Sequence, residues 1–254
     1  MEQKYLLGKY TRVLLRQDDA IFGAGSKQHV FTDRACWENL VLAAAQWTEK
    51  KTAAEAYAHV AQRMSKKEFE SAFDFLISNH FIMPAETSEN IFQSRYSRNH
   101  LHYQSYGVDP EVIQNRLSGK KVVILGCGGI GNHVSAIMAT SGVGEIILVD
   151  NDEVEMTNLT RQIMFAERDI GCPKTTALMR ELKERNSSVA ISEMKMTIRD
   201  KSDISQLPEA DIWIISADEP YYLVPWINEW CVKNSQAYIN AGYVNDIAVF
   251  GPLY

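Results

Sequence analysis

The run Gly126-Cys127-Gly128-Gly129-Ile130-Gly131 stands between an apolar segment, KVVIL, and a stretch of helical character. This is GxGxxG spacing in a strand–turn–helix context, which brings backbone N–H groups and a helix N-terminus against phosphate. Asp150 closes the next apolar segment, EIILVD, 19 residues after Gly131, where its carboxylate can accept hydrogen bonds from ribose hydroxyls. The turn alone does not separate a hydride-transfer dinucleotide such as NAD from ATP. The residues beyond it do. Asn158, Arg161 and Lys174 follow shortly after the ribose-binding acid. A nicotinamide pocket has little use for them, whereas a triphosphate needs cations such as Arg161 and Lys174, and Asn158 can donate a hydrogen bond. Asp218 ends the segment DIWIISA at the same sheet edge, placed to hold Mg²⁺ on those phosphates. Each residue also has an ordinary structural reading: a surface ion pair for Arg161, a solvated helix start for Lys174, an N-cap before Pro220 for Asp218. Their convergence on one edge favours a binding site.

These side chains require a scaffold that delivers loops to one edge. From Lys120 onward, KVVIL, EIILVD, DIWIISA and AYINAG are compact apolar or β-branched runs separated by helical segments such as NHVSAIMATSG and KTTALMRELKERN. Such alternation predicts an α/β, doubly wound Rossmann-like domain with a mainly parallel sheet. The first third differs. TRVLL and KQHVF read as short strands around a turn at FGAGS, followed by a helix from about Asp33 to Trp47. Thr52 with Glu55 and Ser65 with Glu68 form two capping boxes, the second opening a helix with an apolar stripe of Phe69, Phe73, Leu76 and Ile77. The polar segment 84–94 reads as a linker, giving domains at 1–83 and 95–254, and DPEVIQNRL reads as a short helix.

The ordered set GxGGxG, D-x-D at Asp150 and Asp152, NLTRQ at Asn158 to Gln162, G-x-x-K ending at Lys174 and Ala217-Asp218 resembles the adenylating domain of ubiquitin-activating-type enzymes, including activators of sulfur-carrier proteins. That resemblance implies that the glycines Gly126, Gly128, Gly129 and Gly131 cradle ATP, with Asp150, Asp152, Asn158 and Gln162 around it. It further implies that Arg161 and Lys174 hold phosphates, that Asp218 organises Mg²⁺, and that Arg98 in RYSRN reaches across a homodimer as an arginine finger. RYSRNHLHYQSYG, VVILGCGGIGNHVS, ATSGVGEIIL and YINAGYVNDIAVFGPLY resemble more narrowly the adenylating enzymes of microcin C biosynthesis. Those enzymes attach a nucleotide through an N–P bond to a short ribosomal peptide ending in Asn. A winged-helix-like α+β domain at residues 1–83 would then be a peptide clamp. The family continues past FGPLY into a region with paired CxxC ligands for a structural zinc; this chain stops at Tyr254, so an adenylation domain incomplete at its C-terminus is expected. Glu219 stands where many relatives have Asn.

Composition bounds the alternatives. A net charge of −6 argues against a nucleic-acid partner, and no apolar run approaches the roughly 20 residues of a membrane helix. The four cysteines are scattered without a CxxC pair, and no secretory signal is read at the N-terminus, so a cytoplasmic protein with reduced thiols is expected. GAGSK lacks P-loop spacing, and His100, His102 and His133 read as structural. CTP in place of ATP, activation of a sulfur carrier, an NAD-dependent oxidoreductase, and a truncated peptide-binding dimer without catalysis stay open as alternatives.

Overall fold

The structure, a computed structural model, describes residues 2–9, 11–24, 27–86, 94–106, 108–244 and 247–254. They form two compact units, Met1–Ile113 and Gln114–Tyr254. Most of the expected linker, 87–93, lies outside the described residues.

In the first unit β1 (Tyr5–Leu7) pairs antiparallel with β5 (Ile82–Pro84). Pro84 thus ends a strand, a position where its missing N–H costs no ladder bond in the interior. A second antiparallel sheet runs β2 (Val13–Leu15), β3 (Ala20–Ala24), β4 (Lys27–Phe31). The FGAGS stretch is not wholly a turn. Phe22, Gly23 and Ala24 belong to β3, while Gly25 and Ser26 lie outside the described residues. Phe22 is fully buried against Phe31, Phe75 and Phe81, so packing overrides the turn-like composition.

Helices α1 (Arg34–Ala44), α2 (Ala53–Val60), α3 (Lys66–Ser78) and α4 (Ser97–Ser105) complete this unit. Both capping boxes form: Thr52 Oγ1 accepts from the Glu55 N–H at 3.1 Å, and Glu68 Oε2 accepts from the Ser65 N–H at 2.8 Å. The α3 stripe packs as its spacing requires, with Phe69 and Leu76 buried and Phe73 5.3 Å from the Trp47 ring.

The second unit carries a six-stranded sheet in the order β11-β10-β9-β6-β7-β8. The strands are β6 (Lys121–Leu125), β7 (Glu145–Val149), β8 (Ala190–Met194), β9 (Ile212–Ile215), β10 (Tyr238–Val244) and β11 (Ile247–Leu253). Only β11, antiparallel to β10, departs from the parallel direction. Along β6, Val122 and Ile124 face a core shared with Ile146, Leu148 and Leu178, while Val123 and Leu125 face one shared with Ile147, Trp213 and Ile227. Burial on both faces explains why these strands read as continuous apolar runs. Helices α5 (Pro110–Ser118), α6 (Gly129–Ser141), α7 (Lys174–Arg185) and α8 (Leu223–Asn234) connect or precede them. The chain runs β6, β7, β8 to one side and then returns to place β9 on the other side of β6. Strand order therefore reverses at β6, creating a crevice beyond its carboxyl end.

An ionic cluster built on two buried carboxylates braces the long β7–α7 connection. The fully buried Asp169 accepts the Ala166 N–H at 2.9 Å and pairs with Arg180. Glu181 accepts from Arg168 at 2.5 Å and from Arg185 at 3.2 Å. Burial pushes both carboxyls up, but hydrogen bonds and the arginine charges outweigh it and hold them below their ordinary values of 3.8 and 4.5. Depressed folded values stabilise the fold above the ordinary range, and that contribution is lost as pH falls through them. Melting temperature is therefore expected to fall steeply below about pH 4.5. Glu181→Gln should lose about 1–3 kcal/mol at pH 7 and show a shallower acid limb. Melts from pH 3 to 7 check this, and an unchanged acid limb would assign the pH dependence to other groups.

Candidate nucleotide-binding site

The glycine turn is shaped by close approaches at its two ends. Gly126 takes φ of +94°, and a Cβ there would meet the Ala217 backbone nitrogen at 2.6 Å. At Gly131 a Cβ would stand 1.8 Å from the Gly126 carbonyl oxygen. These two positions are glycine because backbone passes where a side chain would be. Gly128 and Gly129 differ: a Cβ on either meets nothing closer than 3.9 Å, the neighbours being Gln162 Nε2 and Arg161 Cδ. Their missing side chains leave the turn and the start of α6 open to a ligand.

Asp150 directly follows β7 and accepts the Cys127 N–H at 2.6 Å through one oxygen and the Asp152 N–H at 2.8 Å through the other. The acid thus ties the glycine turn to the next loop, with lone pairs remaining for ribose hydroxyls. Lys174 is the first residue of α7, and its side chain is only 9% exposed. It donates to Asp152 Oδ2 at 2.7 Å, so the reading of a solvated helix start is excluded. Burial, and then the nearby Asp150 charge, push the Cys127 thiol well above its ordinary value, making it a poor nucleophile.

A cavity of about 530 Å³ opens at the switch point, lined by Gly126, Gly128, Asp150, Asp152, Lys174 and Asp218 among others. Of the expected residues of this unit, Gly129, Gly131, Asn158, Arg161 and Gln162 do not line it. Arg161 and Gln162 flank the glycine turn, as their distances to Gly129 and Gly128 show. The exposed Arg161 donates to the Thr157 carbonyl at 3.0 Å rather than forming a surface ion pair. Asn158 is buried, and its Oδ1 accepts the Glu155 N–H at 3.0 Å, which gives it a role in shaping the turn. Asp218 lies three residues beyond β9 rather than at its end, and α8 begins only at Leu223, so the N-cap reading fails. Arg98 lies in the first unit, exposed on α4.

Sequence reasoning missed Ser216, whose Oγ donates to the Gly126 carbonyl at 2.7 Å, and the cavity-lining stretch Met196 to Arg199. That stretch follows β8, an edge strand whose alternating AISEM was not legible as a strand. Glu219 also lines the cavity, a position marked in the sequence only by its departure from the common Asn.

Among the described residues no three His, Cys, Asp or Glu side chains converge on a metal position. Mg²⁺ bound through substrate phosphates needs only one or two carboxylates. Asp150 already accepts two backbone N–H groups and Asp152 holds Lys174, so Asp218 and Glu219 are the cavity-wall carboxylates that fit such an ion.

A doubly wound sheet with a glycine turn, a ribose-side acid and a buried lysine at its switch point defines a nucleotide-binding α/β domain. Residues 96–248 match the ThiF family, and the chain belongs to that family. Crystal structures of the E. coli protein MccB with ATP and with a succinimide are 49% identical to it, cover 99% of this chain and 74% of theirs, and superpose with TM-scores of 0.92 and 0.91. MccB, a microcin biosynthetic enzyme, in complex with N-formylated MccA gives 49% identity, coverage of 99% and 72%, and a TM-score of 0.91. The SAMP-activating enzyme of Haloferax volcanii is 29% identical over 166 residues, covering 63% of this chain and 60% of its own. The chain spans 60% of the length of that Haloferax enzyme and 52% of the E. coli ThiS adenylyltransferase. Among the described residues no helix is long and apolar enough to cross a membrane.

Proposed function

We propose that this chain is an ATP-dependent adenylyltransferase that activates the C-terminal Asn of a short peptide and attaches AMP through an N–P bond. The observation that carries the reading is the extent of the likeness. The first 95 residues lie outside the family match, yet MccB parallels 99% of the chain at 49% identity. The curated sulfur-carrier activators, including the E. coli ThiS adenylyltransferase at 52%, share only part of it.

An ionised carboxylate is already nucleophilic, so the first step needs alignment rather than a base. A carboxylate oxygen attacks the α-phosphorus, the bond to the bridging oxygen breaks, and pyrophosphate leaves. Lys174 and Arg161 neutralise charge on the phosphates, and Asp218 would hold the Mg²⁺ that screens the departing pyrophosphate. Arg98 of the partner subunit completes the site in a homodimer. The Asn side-chain nitrogen then closes on the activated carbonyl, expelling AMP and leaving a succinimide. That nitrogen gives up its proton and attacks the α-phosphorus of a second ATP, releasing a second pyrophosphate, and water then opens the imide ring to leave the N–P-linked product.

The first unit supports the peptide end of this reading. A groove of about 610 Å³ is lined by Phe31, Leu40, Ala72 and Phe75, and among the described residues β4 pairs only with β3. A winged-helix-like clamp of this kind takes an extended peptide against the free strand edge, with apolar side chains in the groove.

The test incubates the chain with Mg²⁺, ATP or CTP and a synthetic heptapeptide ending in Asn, and reads peptide masses. The expected product has gained one nucleoside monophosphate, and its mass names the base. A peptide unchanged under conditions where a sulfur-carrier C-terminus is adenylated would replace this reading with sulfur-carrier activation.

A further inference from the structure

Asn132 is the fourth residue of α6 and is completely buried. An amide in such a position must be held by specific partners. Its Oδ1 accepts the backbone N–H of Met164 at 3.0 Å, joining the first turn of α6 to a segment 32 residues away in sequence. That segment carries Arg161 and Gln162, whose side chains flank Gly129 and Gly128. Its own backbone bonds are local, from the Arg161 and Gln162 N–H groups to the Asn158 carbonyl and from the Phe165 N–H to that of Gln162. They shape the segment without attaching it to the glycine turn. Packing of Met164 and Phe165 into the core anchors its base, but apolar contact is non-directional and sets no register.

A core position chosen for packing alone would be apolar. Instead Asn132 Nδ2 is buried without a partner among the described residues, and so is Gln162 Oε1 on the facing segment. An unpartnered buried amide group is costly, and an apolar side chain would avoid it. The retained feature is the single directional bond to Met164.

We infer that Asn132 is a positioning residue that pins the Arg161–Met164 segment onto the glycine turn, so that Arg161 is delivered to the nucleotide phosphates. The inference rests on the nucleotide reading of the cavity. Asn132 itself touches no reacting atom; it acts through Arg161.

The experiment measures ATP dissociation constants for wild type, Asn132→Ala, Arg161→Ala and the double variant, together with hydrogen exchange at the Met164 amide. Asn132→Ala should speed Met164 exchange and weaken ATP binding about 10- to 100-fold, as for the loss of one charge-assisted hydrogen bond. In the Arg161→Ala background the same change should cost less than about 2-fold, because the pin then has nothing to deliver. Asn132→Asp keeps an acceptor and should restore slow Met164 exchange. If Asn132→Ala does not fold, Asn132→Ser, whose hydroxyl is too short to reach Met164, takes its place in the cycle. Additive losses in the double variant, or ATP affinity unchanged while Met164 exchange accelerates, would overturn the pin alone. Wild-type chain that binds no ATP would overturn the nucleotide reading and the pin's purpose together.

Discussion

Lys174→Ala is expected to slow nucleotidyl transfer about 10²–10³-fold while the melting temperature stays near wild type. The ammonium is nearly buried at the cavity wall, where a positive charge acts on phosphate with little competition from water. Its removal leaves Asp152, whose side chain is 69% exposed and so remains hydrated. Because no buried charge is left unpaired, the stability cost should stay within about 1 kcal/mol. Asp218→Ala should give a loss of similar size by removing the carboxylate proposed to hold Mg²⁺. Pyrophosphate release measured beside thermal melts separates chemistry from folding. Wild-type rates in both variants would remove these residues from the site.

The second large effect distinguishes two glycines of the same motif. Gly131→Ala would set a methyl 1.8 Å from a backbone oxygen, and neither α6 nor the end of β6 has a flexible side chain to yield. We expect a loss of about 3 kcal/mol or more, with nucleotide binding lost as the turn opens. Gly128→Ala should behave differently. Its φ of −74° is not left-handed, and its nearest neighbour is Gln162 Nε2 at 3.9 Å. The fold should hold while the methyl occupies the ligand side of the turn, weakening ATP about 10-fold or more, as one loss of 1.4 kcal/mol corresponds to tenfold. Melting curves with nucleotide titration test the pair. Equal melting temperatures for wild type and Gly131→Ala would contradict the close approach.

Much of this site was legible because its signals are local. GxGxxG between an apolar run and a helix, an acid at the end of the following strand and a lysine opening a helix are each readable within a few residues. Lys174 does open α7, and Asp150 does follow β7. The capping boxes at Thr52 and Ser65 were equally direct, since both partners lie on one turn. Edge strands were less readable: β8 and β11 lack burial on both faces, and their sequences carry a diluted pattern.

The sequence alone thus determined a parallel, doubly buried sheet and the chemical types gathered at its carboxyl edge. It could not say which glycines are forced by neighbouring backbone and which face a ligand, because that depends on how β9 returns beside β6. Nor could it show that Asp152 holds Lys174, that Ser216 bonds to Gly126 across 90 residues, or that Asn132 reaches Met164. Those pairings belong to the strand order and the crossover path. Hydrogen bonds are short and directional, so a contact between distant residues exists only once the whole sheet has set both ends within about 3 Å.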